Sequence, residues 1–358
     1  MLKRSAACCT SIPLRSFFSV LFVSYSLPRG ISFISKRNRL SSLAMSKHSQ
    51  SWSDAREEAI EKCFLPLSSD SHKGSSGRVG VLGGSQQYTG APFYAGMSAL
   101  QCGADLCYIF CADEAALAIK SYSPELMVTP VYKANRFDRA MELKDQEEQN
   151  LLIERMVEKI RNMMDRLHVL VLGPGLGRCP LVLGATAKII EEAISRKLPL
   201  VLDADALFLL TLDGHKELIV NYDKAILTPN VVEYKRLLQV HHGDIAKVTK
   251  NGIIVKKGKE DVIFQGGEPV FSCCERGGLK RSGGLGDVLA GSIGTLVAWN
   301  VIMEKQLEQT SSVLPLSCWA ACCITRKSTA RAFAVKRRAM TAPDVLNEIG
   351  PVMIAMEE

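Results

Sequence analysis

Residues 275–291 read ERGGLKRSGGLGDVLAG, and the reading of this stretch decides the fold. Glycines at 277, 278, 283, 284 and 286 lead into a helix-length run of small and apolar residues, with Lys280 and Arg281 inside the turn. Consecutive glycine amides aimed from a helix N-terminus form an anion cradle, and the helix dipole favours negative charge there. Asp287 stands at the mouth of that cradle. An acid beside an anion site is electrostatically unfavourable, which points to work on a proton: a carboxylate taking it from a hydroxyl that attacks a phosphoryl group. The competing reading makes Asp287 a helix-start residue that satisfies free amides. The pattern GxxxxGK[ST] is absent, so this is not a P-loop.

Upstream, short β-rich runs alternate with helix-length segments, the pattern of a layered α/β domain with a mostly parallel sheet. Strands are expected at 78–82, 105–111, 168–172, 200–203, 225–228, 253–255 and 262–264, and several are continuous Val/Ile/Leu runs, as in sheets covered on both faces. Helices are expected at 90–103, 145–165, 181–196, 205–210, 231–238, 286–299 and 317–333. In such sheets ligands bind beyond the carboxyl ends of strands. Gly, Asp and Asn recur at those positions. Gly83 and Gly84 follow the first strand without the spacing of GxGxxG; Gly173, Gly175 and Gly177 close the next, and three glycines are more than a turn alone requires. Asp203 and Asp205 end an apolar strand, where Asp205 reads either as a helix cap or as a ligand for a metal or hydroxyl. Asn230, followed three residues on by Glu233, reads as a capping box, or as an Asn and a Glu that hold hydrated Mg²⁺ near phosphate oxygens.

The chain has 358 residues and a formal charge of +7. Seven of its 44 Lys and Arg residues lie in residues 1–44, which contain no acid, so the remainder carries 37 basic and 37 acidic side chains. A neutral body has no basic face for nucleic acid or a membrane surface. The Ser/Arg-rich start fits an organellar transit peptide for a chloroplast or mitochondrion; the competing reading is a secretory signal with Phe17 to Val23 as its apolar core, against which basic residues continue through Arg39. Initiation at Met45 would give a cytosolic form, and residues 45–358 read as one domain. No stretch of that body is expected to reach the roughly 18–20 apolar residues of a membrane span. The 12 cysteines are scattered through apolar runs without zinc-ligand spacing and read as buried free thiols.

Seven motifs, in order, resemble the ATP-dependent NAD(P)H-hydrate dehydratases of the ribokinase-like superfamily: KGSSGRVGVLGGSQQYTGAPFYAG (73–96), SYSPEL (121–126), VLGPGLGR (171–178), LVLDADAL (200–207), TPNVVEYKRL (228–237), KKGKEDVI (256–263) and GGLKRSGGLGDVLAGSIG (277–294). The resemblance implies a ribokinase-like domain that phosphorylates the C6 hydroxyl of hydrated NADH or NADPH at the cost of ATP and eliminates phosphate. It further implies that Gly173, Gly175 and Gly177, together with Asn230, Val231, Val232, Glu233, Tyr234, Lys235 and Arg236, hold the hydrated dinucleotide. ATP would lie on Lys257, Gly258, Lys259, Glu260 and Asp261 and on Gly277, Gly278, Leu279, Lys280, Arg281, Ser282, Gly283, Gly284, Leu285 and Gly286. Asp287 would touch the substrate hydroxyl, and Glu233 would hold Mg²⁺. The expected partners are these small molecules, with no nucleic acid and no membrane; a homo-oligomer is left open. Two departures stand out. Leu285 replaces a polar cradle residue, and the span from Leu237 to Lys257 looks too short for the helix that relatives fit there. A kinase of a small alcohol on the same fold, or a nucleotide-binding module without turnover, are the alternatives.

Overall fold

The computed structural model describes residues 49–307 and 313–358; the leader reading and Cys8 and Cys9 lie outside them. In chain order the elements are β1 (Ser49–Gln50), α1 (Trp52–Cys63), β2 (Arg78–Leu82), α2 (Gly90–Gln101), β3 (Leu106–Ala112), α3 (Asp113–Tyr122), β4 (Leu126–Tyr132), α4 (Ala134–Glu142), α5 (Gln146–Met164), β5 (Val169–Leu172), α6 (Pro180–Ser195), β6 (Leu200–Leu202) and α7 (Ala204–Leu209). There follow β7 (Ala225–Leu227), α8 (Val231–Val240), β8 (Ile253–Lys256), β9 (Asp261–Gln265), β10 (Glu268–Cys273), α9 (Leu285–Leu307), α10 (Leu314–Lys336) and α11 (Ala342–Glu357). They form one ten-stranded sheet of order β1-β10-β9-β8-β7-β6-β5-β2-β3-β4. Pairing is parallel throughout except in the β8-β9-β10 meander.

The central strands β5, β6 and β7 are wholly buried, which is why they read as unbroken apolar runs rather than alternating ones. Val79, Val169 and Val171 face Gly294 of α9, and alternation along a strand turns Leu170 and Leu172 to the opposite side. Helices α1, α2, α9, α10 and α11 pack together as one layer, and α5 to α8 follow one another as the second.

Each strand and helix expected above is present, most within two residues, while seven elements escaped the sequence reading: β1, α1, α3, β4, α4, β10 and α11. In β4 and β10 prolines suppressed the strand signal. Pro130 is tolerated because β4 is the sheet's outer strand, and Pro269 sits at a register shift of β10. α11 carries Pro351 in its interior, so its pattern looked broken.

One expectation is corrected, and the short span after α8 is as expected. The window 285–305 is long and apolar enough to cross a membrane, with mean hydropathy 1.4; 78% of it is packed inside the protein, where it serves as the central helix of a layer. The shortened 238–256 span carries a 3₁₀ turn at Ile245–Lys247, and α8 alone makes the crossover that docks β8 parallel to β7. The ten described cysteines are free thiols, eight of them buried.

Candidate active site

The carboxyl ends of β2, β5, β6, β7 and β8 open on one side of the sheet, and the N-terminus of α9 is brought against them. Asp203, the last residue before α7, is only 2% exposed. Its Oδ1 accepts hydrogen bonds from Thr228 Oγ1 and from Lys257 Nζ, both at 2.7 Å. Three adjacent strand ends are thereby tied through one carboxylate. Lys257 Nζ also lies beside the cradle: a Cβ on Gly286 would stand 3.2 Å from it and 3.7 Å from Asp203 Oδ2. Asp287, in the first turn of α9, lines a cavity of about 600 Å³ together with Gln87, Tyr88, Gly175, Gly177, Arg178 and Asp205.

The electrostatics follow from this crowding. Burial raises the Asp287 carboxyl to about 7, and the negative Asp203 and, more weakly, Asp205 push the same way; Lys257 and Asp287's own amide partly oppose them. Burial pulls the Lys257 pKa down, but Asp203 foremost, with Glu233 and Asp287, holds it above the ordinary lysine value. Burial raises Glu233, and the Asn230 amide partly offsets it. The result is one retained cation among three carboxylates, with Asp287 poised for proton exchange near neutrality.

The glycines divide into two kinds. At Gly284 (φ +90°) a Cβ would lie 2.6 Å from the Tyr94 ring and 2.8 Å from Ala342 Cβ, and at Gly278 it would meet the Thr329 carbonyl at 2.6 Å. These positions are required by the fold itself. Gly283 has nothing within 4 Å of such an atom, so it faces open space where a ligand can approach.

Other residues take unexpected places. Asp205 is not the cap of α7: Asp203 occupies that position, and the Asp205 carboxylate instead receives Gly177 N at 2.9 Å and Arg178 Nε at 3.1 Å, holding the glycine loop after β5. The Asn230–Glu233 capping box is formed. Asn230 Oδ1 accepts from the amides of Val232 and Glu233, and Glu233 Oε2 accepts from Asn230 N at 2.8 Å. Val231 and Val232 are exposed, whereas Tyr234 stacks against Phe264 beneath Lys256 Nζ. Lys235 is exposed and Arg236 half-buried. Asp261 is taken up by a two-pronged pair with Arg326, whose guanidinium also donates to the carbonyls of Gly258, Lys259 and Glu275. Glu260 accepts from Ser272, Lys280 donates to the Arg338 carbonyl, and Arg281 donates to that of Gly278. Leu279 is 80% exposed, and Leu285 packs partly against the core.

Sequence reasoning missed Thr228, Arg326 and the coupling of Asp203 to Lys257. The only available signal was an acid ending an apolar strand, which said that Asp203 had a partner without saying which.

A mostly parallel sheet with helical layers, a glycine turn feeding a long helix and a carboxylate in that helix's first turn define a ribokinase-like α/β protein. The fold matches a ribokinase-like superfamily protein of Enterococcus faecalis (TM-score 0.65, 20% identity, covering 88% of this chain and 99% of that one). It also matches the Bacillus subtilis ADP/ATP-dependent NAD(P)H-hydrate dehydratase co-crystallised with ATP/Mg²⁺ (TM-score 0.60, 20% identity, 88% and 100%). Residues 79–351 match the sequence profile of the NAD(P)H-hydrate dehydratases. Proteins named ATP-dependent (S)-NAD(P)H-hydrate dehydratase are similar over most of their length: that of Rattus norvegicus is 40% identical (82% of this chain, 83% of that one) and that of Physcomitrium patens 39% (82% and 93%). The chain belongs to the NAD(P)H-hydrate dehydratase family.

Proposed function

We propose that this protein restores hydrated NADH and NADPH to the reduced cofactors by ATP-dependent dehydration. The observation that carries the reading is Asp287 itself, lining the 600 Å³ cavity from the first turn of α9 and under the electrostatic influence of the buried Asp203–Lys257 pair, with its carboxyl raised to about 7. Hydroxide is a poor leaving group, so the hydroxyl must first be converted to an ester. Asp287 takes the proton of the C6 hydroxyl as that oxygen bonds to the γ-phosphorus of ATP, and ADP leaves. Loss of phosphate from C6 and of a proton from C5 then restores the ring double bond. Lys257, beside the cradle and only singly partnered, has donors to spare for phosphoryl oxygens.

In this reading ATP lies along residues 257–261 and 277–286, although Asp261 acts there by fixing the loop through Arg326 rather than by meeting the nucleotide. The dinucleotide lies along Gly173, Gly175, Gly177 and residues 230–236. The residues present fit a nucleotide-borne Mg²⁺ rather than a protein-held one. Among the described residues no cluster of three His, Cys, Asp or Glu could bind a metal, and Glu233 has one oxygen committed to Asn230 and one left over. Mg²⁺ keeps most of its waters and takes one or two carboxylates besides phosphates, which suits Glu233. When bound, the ion would neutralise phosphate charge. Residues 1–44 are proposed to direct the protein to a plastid or mitochondrion; a fluorescent fusion to that segment should enter one of them, and its secretion would refute the assignment.

The functional reading is tested by incubating the protein with hydrated NADH, ATP and Mg²⁺ while following the absorbance of the reduced nicotinamide and the release of phosphate. Regeneration of NADH with stoichiometric free phosphate is expected. A product that keeps the phosphate would make the protein a kinase.

A further inference from the structure

Thr228 follows the last residue of β7 and is fully buried, so no ligand in the cavity can touch it. Its hydroxyl lies 2.7 Å from Asp203 Oδ1 and 3.3 Å from the Leu202 carbonyl. A hydroxyl has one proton to give, and the shorter, charge-assisted contact takes it. Lys257 Nζ donates to the same carboxylate oxygen at 2.7 Å, while Asp203 Oδ2 receives no hydrogen bond from any described residue. Oδ2 faces the start of α9, 3.7 Å from where a Cβ on Gly286 would stand, and Lys257 Nζ lies 3.2 Å from the same point. The main chain brings these groups together: Lys257 N donates to the Pro229 carbonyl at 2.8 Å, and Asp203 N donates to the Leu172 carbonyl at 3.0 Å.

Two donors on one oxygen fix the orientation of the carboxylate. The terminal torsion of an Asp side chain is soft and roughly two-fold, so with Lys257 as sole partner either oxygen could take the ammonium. The flexible lysine stem would follow whichever oxygen it met, and its aim at the cradle would be lost. Resting on the functional reading above, we infer that Thr228 is a positioning residue: its hydroxyl locks Asp203 so that the Lys257 ammonium presents its spare donors to the phosphoryl groups held at the glycine cradle. The plainer role for such a hydroxyl is to satisfy a buried carboxylate, which would add stability and leave ligand binding alone. The two roles differ in whether the effect of Thr228 passes through Lys257.

The test is a double-mutant cycle between Thr228→Val, which keeps the branched shape and removes the hydroxyl, and Lys257→Met. It is read as kcat/KM for ATP in the presence of hydrated NADH and, separately, as ATP affinity by calorimetry. Thr228→Val alone should lower both by about tenfold, equivalent to about 1.4 kcal/mol. Thr228→Ser, which keeps the hydroxyl, should stay within about twofold of the parent. In the Lys257→Met background Thr228→Val should change neither quantity by more than about twofold, because the ammonium it aims is gone. An equal fold loss in the two backgrounds, or a Thr228→Ser protein as impaired as Thr228→Val, would overturn the positioning role. So would a Thr228→Val protein that melts earlier yet binds and uses ATP like the parent. If the parent binds ATP without regenerating NADH, the dehydratase reading falls and the affinity cycle alone decides the role of Thr228; if it binds no ATP, both fall.

Discussion

Two buried ion pairs lie a few residues apart in sequence and serve opposite ends. Arg326 makes a two-pronged contact with Asp261 at 2.6 and 2.8 Å and fills its remaining donors with the carbonyls of Gly258, Lys259 and Glu275. Every N–H is satisfied, and the pair acts as a bolt between β9, α10 and the loop after β8. Lys257 has one partner, Asp203 Oδ1 at 2.7 Å, and two ammonium donors still available at the mouth of α9. The difference is residual valence. A closed network fixes geometry, whereas an incompletely used cation, kept charged by its carboxylate neighbours, can meet an incoming phosphoryl group.

The largest expected effect falls at the carboxylate beside the open pair. Asp287→Asn should lower kcat by about 10² to 10⁴ with little change in ATP affinity, measured by single-turnover kinetics and calorimetry. Retention of more than half the parental rate would make Asp287 a structural helix-start residue. The same substitution should stabilise the fold. A carboxyl with an ordinary value of 3.8 raised to about 7 contributes stability below pH 4 that is lost as pH rises through 7. Asp287→Asn should therefore melt later than the parent at pH 8, by about 2 kcal/mol after allowance for solvent at the site, with the difference vanishing near pH 4.

Next comes the bolt itself. Arg326→Met leaves Asp261 buried and unpaired, and denaturant unfolding should reveal a loss of about 3–5 kcal/mol. Lys257→Met sharpens the contrast: it strands the buried Asp203 in the same way, but it should also lower kcat/KM by about 10- to 100-fold, the worth of a charge-assisted hydrogen bond. A variant pair in which Arg326→Met harmed turnover without harming stability would break the comparison.

The pH profile offers a finer probe. In the free enzyme kcat/KM should decline below about pH 7 as Asp287 takes up a proton. The groups facing it are Asp203, Asp205 and Lys257. Removing the cation in Lys257→Met should move that inflection upward, since Lys257 holds Asp287 down. A profile flat from pH 5 to 8 would remove Asp287 from the role of base.

The smallest effect separates the two kinds of glycine. Gly283→Val meets open space and should weaken ATP binding by about tenfold with an unchanged melting temperature. Gly284→Val must clash with Tyr94 and Ala342 at a positive φ, so it should destabilise the protein whether or not ATP is present. Equal behaviour of the two would remove the distinction between ligand-facing and fold-facing positions.

Much of this was readable beforehand because the signals are local. An apolar run followed by glycine or an acid marks a strand end, and glycines before a small-residue helix mark its N-terminus. Strands β2, β5, β6 and β7, the helix α9 and the position of Asp287 follow from that grammar. Where tertiary context overrides a local signal the reading failed. Pro130 is allowed only because its strand is outermost, Pro351 is carried inside α11, and the apolar length of α9 reflects burial between helices and sheet rather than a membrane.

Asn230 and Glu233 also divide along this line: their spacing of three made the capping box legible, but only the fold shows Glu233 keeping one oxygen free beside Lys257 and Asp203. The sequence by itself determined the run of central strands and the helices between them, the glycine turn and the acid that follows it, because each depends on neighbours within a few residues. Which carboxylate Lys257 meets, that Asp205 holds the glycine loop instead of capping α7, and that Arg326 closes around Asp261 were decided by tertiary structure. Those partners lie 54, 28 and 65 residues apart and come together only when the sheet has chosen its strand order.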